Sequence, residues 1–394
     1  MKIQRHLNFL WFAVNSIFTY KTRTIAITFS LMMALMILGS VAFVSGGLEK
    51  EAILSATFAP DITVQYLQAG RQIPISMNNT GVINKISGVE KTIPRVWGYI
   101  SQNNRIYTIM GIDPAEMPIP KEINFAISSG RFLQVQDSEV AIVGRHLAAA
   151  FALDVDDTLI LYNESGHPYN FTVVGVFTME VNLYAADLIL VTVNDSRKFF
   201  GITENYATDL CVYASDQTET RYIAQQILND IPGARVLTRQ ALKDALLSAY
   251  GARSGFVSVI WYIMLLAVIL VAWNQASAVS AEARKEVGIL KSLGFSTMDI
   301  LEIRLLEAII LGVLSASLGI LLAIIYDLYL GAPVISDFML GWAAVYPSFP
   351  LPIHVSVTSV VILYGVAIFP LLVGSLVPSW KSAITEPDTA MRGG

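Results

Sequence analysis

Four long apolar runs, unevenly spaced along the chain, constrain the fold more than any other feature of this sequence. Crossing the hydrocarbon core of a bilayer, about 30 Å thick, takes about 20 consecutive apolar residues in a helix. The runs at 24–46, 254–277, 300–326 and 354–377 meet that requirement, and residues 47–253 between the first two are of mixed composition. We therefore predict a membrane protein with four transmembrane α-helices and an α+β extracytoplasmic domain inserted between the first and second helices.

The composition supports a membrane protein and excludes several classes of function. Hydrophobic residues make up 54% of the chain and charged residues only 14%, a balance that soluble globular proteins rarely reach. The formal net charge of −5 gives no reason to expect nucleic acid as a partner. The single cysteine, Cys211, can form neither a disulfide within the chain nor a zinc site, and the alternating pattern around it predicts a packed strand residue.

The distribution of lysine and arginine predicts the orientation in the membrane. Basic residues precede the first run, lie in the loop 278–299 and follow the last run in the tail 378–394. The loop 327–353, in contrast, contains aspartates and no lysine or arginine. Because positive charges are retained on the cytoplasmic side, we expect both termini and the loop 278–299 in the cytoplasm. The inserted domain and the loop 327–353 are then expected outside a plasma (inner) membrane.

Residues 1–23 precede the first run and carry a narrow polar stripe. Arg5, Asn8, Asn15 and Thr19 recur at helical spacing in an otherwise apolar stretch. This pattern predicts an amphipathic helix that lies in the inner interface of the membrane, with its polar stripe toward water. A simple N-terminal extension of the first transmembrane helix is the alternative that the pattern leaves open.

The inserted region alternates strand-like runs with turns and contains two helical patterns. The runs include 61–66, 105–111 and 158–162, and the helical patterns fall at 144–153 and 218–230. These elements predict an α+β domain of two subdomains.

No catalytic or metal-binding pattern is found in the inserted region. His146 and His167 have no serine or cysteine nucleophile at a motif spacing. The acidic turn of Asp154, Asp156 and Asp157 lacks the glycine and the distal glutamate of a calcium-binding loop, so we expect a solvated turn. The sequence therefore predicts neither an enzyme nor a metal or cofactor bound by this chain.

The segment 278–299, between the second and third runs, has the pattern of a helix with a defined end. Val287, Leu290 and Leu293 fall on one helical face, and Gly294 is placed to terminate the helix. Residues 296–299, Ser-Thr-Met-Asp, then form a capping box directly ahead of the third run. The alternative is a positively charged loop that only sets topology, but the apolar stripe and the specified caps favour the helix.

The same segment resembles a motif of the FtsX-like permeases, the membrane subunits of MacB-, LolC- and LolE-type ABC transporters (type VII, or mechanotransmission, transporters). The motif is R-x-E-(I/V)-G-(I/L)-L-(R/K)-x-(I/L)-G with a later D-I, and this chain has RKEVGILKSLG at 284–294 and Asp-Ile at 299–300. Further segments agree in the same order with the entrance helix, the MacB-like periplasmic core domain and the tail of the family, namely 8–24, 130–132, 140–144, 171–176 and 378–392. The resemblance covers nearly the whole chain.

The resemblance implies that the segment 278–299 is a coupling helix that docks on a cytoplasmic ATPase. The coupling residues carried over from the motif are Arg284, Lys285, Glu286, Gly288, Ile289, Leu290, Leu293 and Gly294. The partners implied are an ABC ATPase dimer, a second permease copy or a sister permease, membrane lipid and, as an optional partner, a periplasmic adaptor or lipoprotein.

The ATP-binding machinery is not found in this sequence. A phosphate-binding loop needs G-x-x-x-x-G-K-[ST], and no Gly-Lys pair occurs in the 394 residues. We therefore expect ATP and Mg²⁺ to be bound by a separate ATPase subunit, as in the family members without a fused ATPase.

Arg304 and Glu307 in the third run are ionisable residues expected inside the membrane. Such residues are candidates for function by default. Because they stand at positions i and i+3, a mutual ion pair near the interface is the alternative.

Two functions fit the resemblance. The first is a permease subunit that uses ATP-driven motion of the outer domain to export or extract a lipid-like, lipoprotein, peptide or drug substrate. The second is an FtsX-like transmitter that activates an external enzyme, but FtsX-type inserts are smaller than the region 47–253. An unrelated membrane receptor or membrane enzyme is a third alternative, and the apolar runs carry no catalytic set that would favour the enzyme.

Overall fold

The computed structural model describes residues 2–102, 105–114, 125–179, 185–250, 255–277, 281–340 and 351–384. The chain divides into two compact units. Residues 1–47, 252–339 and 351–394 form the first, which we call the helical unit. Residues 48–251 and 340–350 form the second, which we call the sheet unit.

The helices and strands of the described chain are numbered in chain order. The helices are α1 (Lys2–Thr19), α2 (Lys21–Phe58), α3 (Asn79–Ile83), α4 (Arg145–Phe151), α5 (Val193–Phe200), α6 (Thr220–Asp230), α7 (Arg239–Tyr250), α8 (Gly255–Ser277), α9 (Ala281–Ser292), α10 (Thr297–Leu330), α11 (Pro333–Leu340) and α12 (Val357–Ile384), with one 3₁₀ turn at Gln217–Glu219. The strands are β1 (Ile62–Gln68), β2 (Arg71–Ile73), β3 (Ile75–Ser76), β4 (Val89–Gln102), β5 (Arg105–Ile112), β6 (Phe125–Gly130), β7 (Val140–Gly144), β8 (Thr158–Tyr162), β9 (Pro168–Met179), β10 (Leu188–Thr192), β11 (Tyr206–Ala207), β12 (Asp209–Ala214) and β13 (Ala234–Thr238).

Four helices of the described chain are long and apolar enough to cross a membrane. Their candidate spans are Lys21–Thr57 in α2, Val257–Asn274 in α8, Thr297–Leu330 in α10 and Val357–Gly374 in α12. The prediction of four apolar helices is therefore confirmed.

The core of the helical unit lies among these four helices. Leu31, Leu35 and Leu38 of α2 are completely buried in it, together with residues of α8, α10 and α12. The outer faces of α8 and α12 are apolar and exposed, with Trp273 and Phe369 as large examples. Such faces are suited to contact with lipid or with another apolar surface.

Glycines allow α10 to pack closely on two of its neighbours. A Cβ atom at Gly319 would lie only 2.8 Å from the Cβ of Leu35 and 3.0 Å from the carbonyl oxygen of Met32, both on α2. A Cβ atom at Gly312 would lie 2.9 Å from the Cγ1 of Ile368 on α12. Small residues at such contacts bring membrane helices together because dispersion between close backbones drives their association.

Two helices extend beyond the predicted transmembrane runs. α2 continues past Gly46 and Gly47 to Phe58, and the backbone N–H of His354 donates to the carbonyl of Phe43 at 3.0 Å beside these glycines. A glycine costs a helix only about 1 kcal/mol, so the pair does not end it. At Gly46, α2 packs against the chain that precedes α12, because a Cβ there would lie 3.3 Å from the carbonyl oxygen of His354.

The predicted loop 327–353 is partly helical. α10 runs to Leu330 and ends at Gly331, which has a φ of +69°, and α11 follows. Asp327, expected in the loop, is instead buried in the bundle, where its carboxylate accepts a hydrogen bond from the hydroxyl of Ser40 on α2.

The sheet unit is built on one large mixed sheet. Eleven strands of the described chain form it, with β13-β1-β12-β4-β5-β10-β7-β9-β6 as the main order, β2 on β1 and β8 on β9. The long strand β4 pairs with β12 along its first half and with β5 along its second half. The strands predicted at 61–66, 105–111 and 158–162 correspond to β1, β5 and β8.

Three hydrophobic clusters of the described residues lie along this sheet. One surrounds Tyr107, Phe171 and Phe199, a second packs β1 and β12 against α6, and a third contains residues of β5, β7, β9 and β10 around Phe177. Cys211 is a buried residue of β12, and burial raises the pKa of its thiol to about 12, which agrees with the predicted packing role.

A buried ion pair joins β4 to β12 at the middle of the sheet. Arg95 donates from Nε and Nη2 to the two carboxylate oxygens of Asp209, at 3.0 and 2.7 Å. The indole N–H of Trp97 donates to the same carboxylate at 2.8 Å. Asp209 is completely buried, and so its charge depends on these partners.

The helical patterns at 144–153 and 218–230 correspond to α4 and α6. α4 ends earlier than predicted because Ala152 adopts the left-handed conformation, with a φ of 51°. In the acidic turn that follows, the carboxylate of Asp157 accepts from the backbone N–H of Asp154 at 2.7 Å. That bond gives the turn a local structural role.

Replacement of Gly319 by alanine tests the packing of α10 on α2. The new methyl group would meet backbone atoms of α2, so we expect Gly319→Ala to lower the free energy of unfolding by about 1–3 kcal/mol. Gly365→Ala is the matched control, because no atom of the described residues lies within 4 Å of its Cβ position. Unfolding in mixed micelles measures both variants, and equal stabilities would contradict close packing at Gly319.

Candidate functional site

The helix α9 ends as the sequence predicts. Gly294 has a φ of +90°, in the left-handed region, and its N–H donates to the carbonyl of Lys291 at 3.0 Å. The next N–H, of Phe295, donates to the carbonyl of Leu290 at 3.1 Å, and these two side chains pack together. This pair of hydrogen bonds with its apolar contact is a complete Schellman motif, which fixes the direction in which the chain leaves α9.

The helix α10 then begins with the predicted capping box. The backbone N–H of Asp299 donates to the hydroxyl of Ser296 at 3.2 Å, and the backbone N–H of Ser296 donates to the carboxylate of Asp299 at 3.0 Å. Both ends of the connection between α9 and α10 are therefore fixed by local hydrogen bonds.

The N-terminal helix α1 is attached to the same place. Arg5 donates from Nη2 to the carboxylate of Asp299 at 2.5 Å, and His6 pairs with Glu302 one turn further along α10. The side chain of Arg5 is 58% exposed, and so the ion pair by itself adds little stability. Its contribution is to fix the position of α1 along α10.

Apolar packing joins the three helices more firmly than these ion pairs. Val287 and Leu290 of α9 and Ile300 of α10 are buried together, with Phe12 of α1 packed against them. A neighbouring cluster buries Phe9 of α1 against α10, together with the residues Ala13 and Ile303. We call this assembly of α1, α9 and residues 297–303 the corner.

The corner divides the predicted coupling residues into two sets. Gly288 and Leu290 are buried within it and are not available to a partner, so the apolar stripe of α9 does have a packing partner in this chain. Ile289 and Leu293 face outward, at 47% and 70% exposure, and Gly294 beside them is exposed too.

The charged coupling residues lie in the first half of α9. Arg284, Lys285 and Glu286 belong to this helix, but their side chains lie outside the described part of the structure. The assignment of these three residues to a partner contact stays a prediction.

The outer face of α1 is apolar. Leu7, Leu10, Trp11 and Phe18 are 40–71% exposed, on the side of the helix away from Phe9. α1 thus has one apolar face packed on α10 and a second that no described residue covers. An uncovered apolar face beside an exposed Asn8 and Asn15 is typical of a helix in a membrane interface.

Arg304 and Glu307 form the ion pair that their spacing suggests. Arg304 Nη1 lies 2.8 and 3.1 Å from the two carboxylate oxygens of Glu307, and both side chains are largely buried. A mutual pair satisfies both charges within one helix, and so these residues need no substrate or ion to explain them.

Several contacts of the corner could not be found from the sequence. Arg5, His6 and Phe12 are parts of it, yet nothing in a single sequence relates them to Asp299, Glu302 or Leu290, which are almost 300 residues away. Only the spacing of polar residues in α1 indicated that this helix has an inner and an outer face.

Four apolar helices of membrane-spanning length, together with a separate unit built on a mixed sheet, define a polytopic membrane protein with a large domain outside the bilayer. Two family profiles match the chain. The profile described as MacB-like periplasmic core domain matches residues 22–229, and the profile described as FtsX-like permease C-terminal matches residues 258–387. The chain belongs to the FtsX- and MacB-type family of ABC transporter permeases.

Curated relatives carry the same description. An uncharacterized ABC transporter permease of Methanocaldococcus jannaschii is 25% identical over 214 residues, which are 52% of this chain and 52% of that protein. The macrolide export ATP-binding/permease protein MacB of Bdellovibrio bacteriovorus is 24% identical over 351 residues, 82% of this chain and 50% of that protein. The alignments thus span about half the length of these relatives.

A solved structure is also similar to part of the chain. The extracellular domain of the ABC-type transporter YknZ from Gram-positive bacteria aligns with 45% of this chain and 99% of its own length. The identity is 14% and the TM-score is 0.32.

Two leucines of α9 provide a test of the corner. Leu290→Ala should lower the free energy of unfolding by about 2–5 kcal/mol, because it leaves a cavity between α9, α1 and α10. Leu293→Ala removes the same atoms from an exposed position and should change stability by less than about 0.5 kcal/mol. Thermal or denaturant unfolding of the purified protein compares them, and a larger loss for Leu293→Ala would overturn the inward and outward assignment.

Proposed function

We propose that this chain is the permease subunit of an ABC transporter and couples ATP hydrolysis by a cytoplasmic ATPase to motion of the sheet unit. The observation that carries the proposal is the corner, in which α9 is held at a fixed angle to α10 while Ile289 and Leu293 face outward. A partner that binds these residues can move α10 without first ordering a loop. Preorganisation of this kind lowers the entropic cost of binding.

The path of the motion follows contacts within the helical unit. Movement of α9 passes to α10 through the Schellman motif and the capping box. α10 then acts on α2 through the close contact at Gly319 and the hydrogen bond between Ser40 and Asp327. α2 continues as one helix into residues that belong to the sheet unit. We infer that the sheet unit is inserted between the first and second transmembrane helices and responds to α2.

The ATPase is proposed as a separate subunit that binds ATP and Mg²⁺. Its dimer would engage two permeases, either two copies of this chain or this chain and a sister permease. Arg284, Lys285 and Glu286 would supply charged contacts around the exposed Ile289 and Leu293. Leu290 and Gly288, which are buried, would act by holding α9 in place within the corner.

The proposed location is an inner membrane with both termini in the cytoplasm and the sheet unit outside. The absence of lysine and arginine from 327–353, and their presence in 278–299, support this orientation. The uncovered apolar face of α1 would then lie in the inner interface, in contact with lipid.

Export or extraction of an amphipathic substrate is the proposed activity, with lipid-like molecules, lipoproteins, peptides and drugs as the candidate classes. The Bdellovibrio relative is named a macrolide export protein, which supports export as the activity. Signal transmission to an external enzyme is the alternative, and a periplasmic adaptor or lipoprotein is an optional partner in either case.

Two variants test the coupling surface. Glu286→Lys reverses a charge of the family motif, and Leu293→Ser removes an exposed apolar anchor. Each should weaken ATPase binding by about tenfold or more, since anchors of an interface contribute about 2 kcal/mol, while the stability of the permease stays unchanged. Co-purification of the ATPase and substrate-stimulated ATPase activity provide the measurements.

Val135→Ser is the matched control for Leu293→Ser. Val135 is similarly exposed, at 74%, but lies in the sheet unit. The control should leave ATPase binding at the wild-type level. Normal stoichiometry and normal ATPase stimulation in both Glu286→Lys and Leu293→Ser would show that α9 is not the coupling element.

A further inference from the structure

A cavity of about 410 Å³ opens in the sheet unit where three helices come together. Its wall includes Thr57 in the last turn of α2, Thr220 at the start of α6, and Arg239 and Lys243 in the first turns of α7. Asp61, just before β1, completes the polar part of the wall. Ile53 and Ala56 of α2 contribute apolar side chains to the wall.

Arg239 is held in place at the edge of this cavity. Its Nε donates to the carbonyl of Ala59 at 2.8 Å, and its Nη1 lies 3.1 Å from the carboxylate of Asp61. That carboxylate also accepts from the backbone N–H of Ala214 at 3.0 Å, so each of its oxygens already has a partner in the protein. The guanidinium keeps further N–H donors, and its side chain is 30% exposed.

Lys243 is the second cation and has no such partner. It is half-buried in the wall, one turn along α7 from Arg239, and no ion pair joins it to any residue of the described chain. Because Asp61 offsets Arg239, the charge of Lys243 leaves the cavity with one uncompensated positive charge. The N-terminal end of α7 adds partial positive charge beside it, although one of its N–H groups, that of Ala241, is capped by the hydroxyl of Thr238 at 3.2 Å.

We propose that this cavity binds a phosphate group, as a free anion or as the phosphodiester of a lipid headgroup. A phosphate offers several acceptor oxygens to the N–H donors of Arg239 and Lys243. The hydroxyls of Thr57 and Thr220 line the cavity but already donate to the backbone carbonyls of Leu54 and Gln217. The uncompensated charge matches a monoanion. The apolar lining from α2 suits the carbon atoms attached to a phosphodiester.

A phosphate bound in this cavity would connect two segments of the chain. The ligand would join the last turns of α2, a candidate membrane span, to α7, which precedes the next span in the sequence. Binding would therefore order the two chain segments through which the sheet unit is connected to the membrane spans. This proposal does not depend on the coupling to an ATPase.

Hydrogen exchange of the full-length protein in a maltoside detergent, which contains no phosphate, tests the site. One sample receives an anionic short-chain phosphatidylglycerol, a second receives inorganic phosphate, and a third receives chloride at the same ionic strength. We expect amide exchange in residues 217–220 and 239–243 to slow by about tenfold in the first or second sample and not in the third.

The two ligands distinguish the sources of the phosphate. Slowing by phosphatidylglycerol alone identifies a lipid headgroup, and slowing by inorganic phosphate identifies the free anion. Equal exchange in all three samples would overturn the proposal, because a saturated site must protect the amides around it.

A variant that removes the charge of Lys243 provides a second test in the same hydrogen-exchange experiment. Lys243→Gln should raise the ligand concentration needed for half-maximal protection by about tenfold, as expected for the loss of one charge-assisted hydrogen bond. Lys85→Gln removes the same charge from an exposed position outside the cavity and should have no effect. Identical midpoints for Lys243→Gln and the wild type would also overturn the proposal.

Discussion

The hydrogen bonds of the Asp299 carboxylate set the geometry of the corner, while apolar packing supplies its stability. One of its oxygens closes the capping box that starts α10, and the other accepts from Arg5 of α1. The same residue therefore fixes where α10 begins and where α1 lies on it. With the Schellman motif at Gly294, it leaves α9 without a free hinge in the connection to α10. A segment that would otherwise be a short loop becomes a helix with a defined direction.

The membrane helices extend this defined geometry. α10 has glycines where it meets α2 and α12, and the added Cβ atoms would lie within 3.0 Å of neighbouring atoms at both contacts. Close-packed interfaces of this kind shift as units, since their side chains have no free volume in which to absorb a displacement. The apolar faces of α8 and α12 contrast with this packing, because they are exposed in the described chain.

Local features of the sequence predicted the fold better than distant ones. The capping box, the stop at Gly294 and the strands of the sheet unit depend on neighbouring residues, and each could be read from its own segment. The order of the strands could not be predicted from the sequence. β4 pairs with β12, and β10 pairs with β5, across long stretches of chain. The charge of Asp327 predicted a loop. In the structure its carboxylate is buried and accepts a hydrogen bond from Ser40, which lies on another helix, α2.

The predicted coupling residues also combine a local feature, which the sequence predicted, with a distant contact, which it did not. The motif placed all of them on one short helix, but the distinction between Leu290 and Leu293 depends on Phe12, which is distant in the sequence. Periodicity alone put both leucines on one apolar face. The structure separates them because Leu290 packs in a cluster with Ile300, Phe12 and Phe295, whereas Leu293 is 70% exposed.

Photo-crosslinking from α9 in intact membranes tests the central claim most directly. A benzophenone amino acid would be placed at position 289 or 293, with position 313, an exposed site within the span of α10, as the reference. If α9 docks on the ATPase, positions 289 and 293 form adducts with a protein of ATP-binding cassette sequence, identified by mass spectrometry, and position 313 forms none. Adducts with lipid alone from 289 and 293, or the same ATPase adduct from 313, would contradict the account.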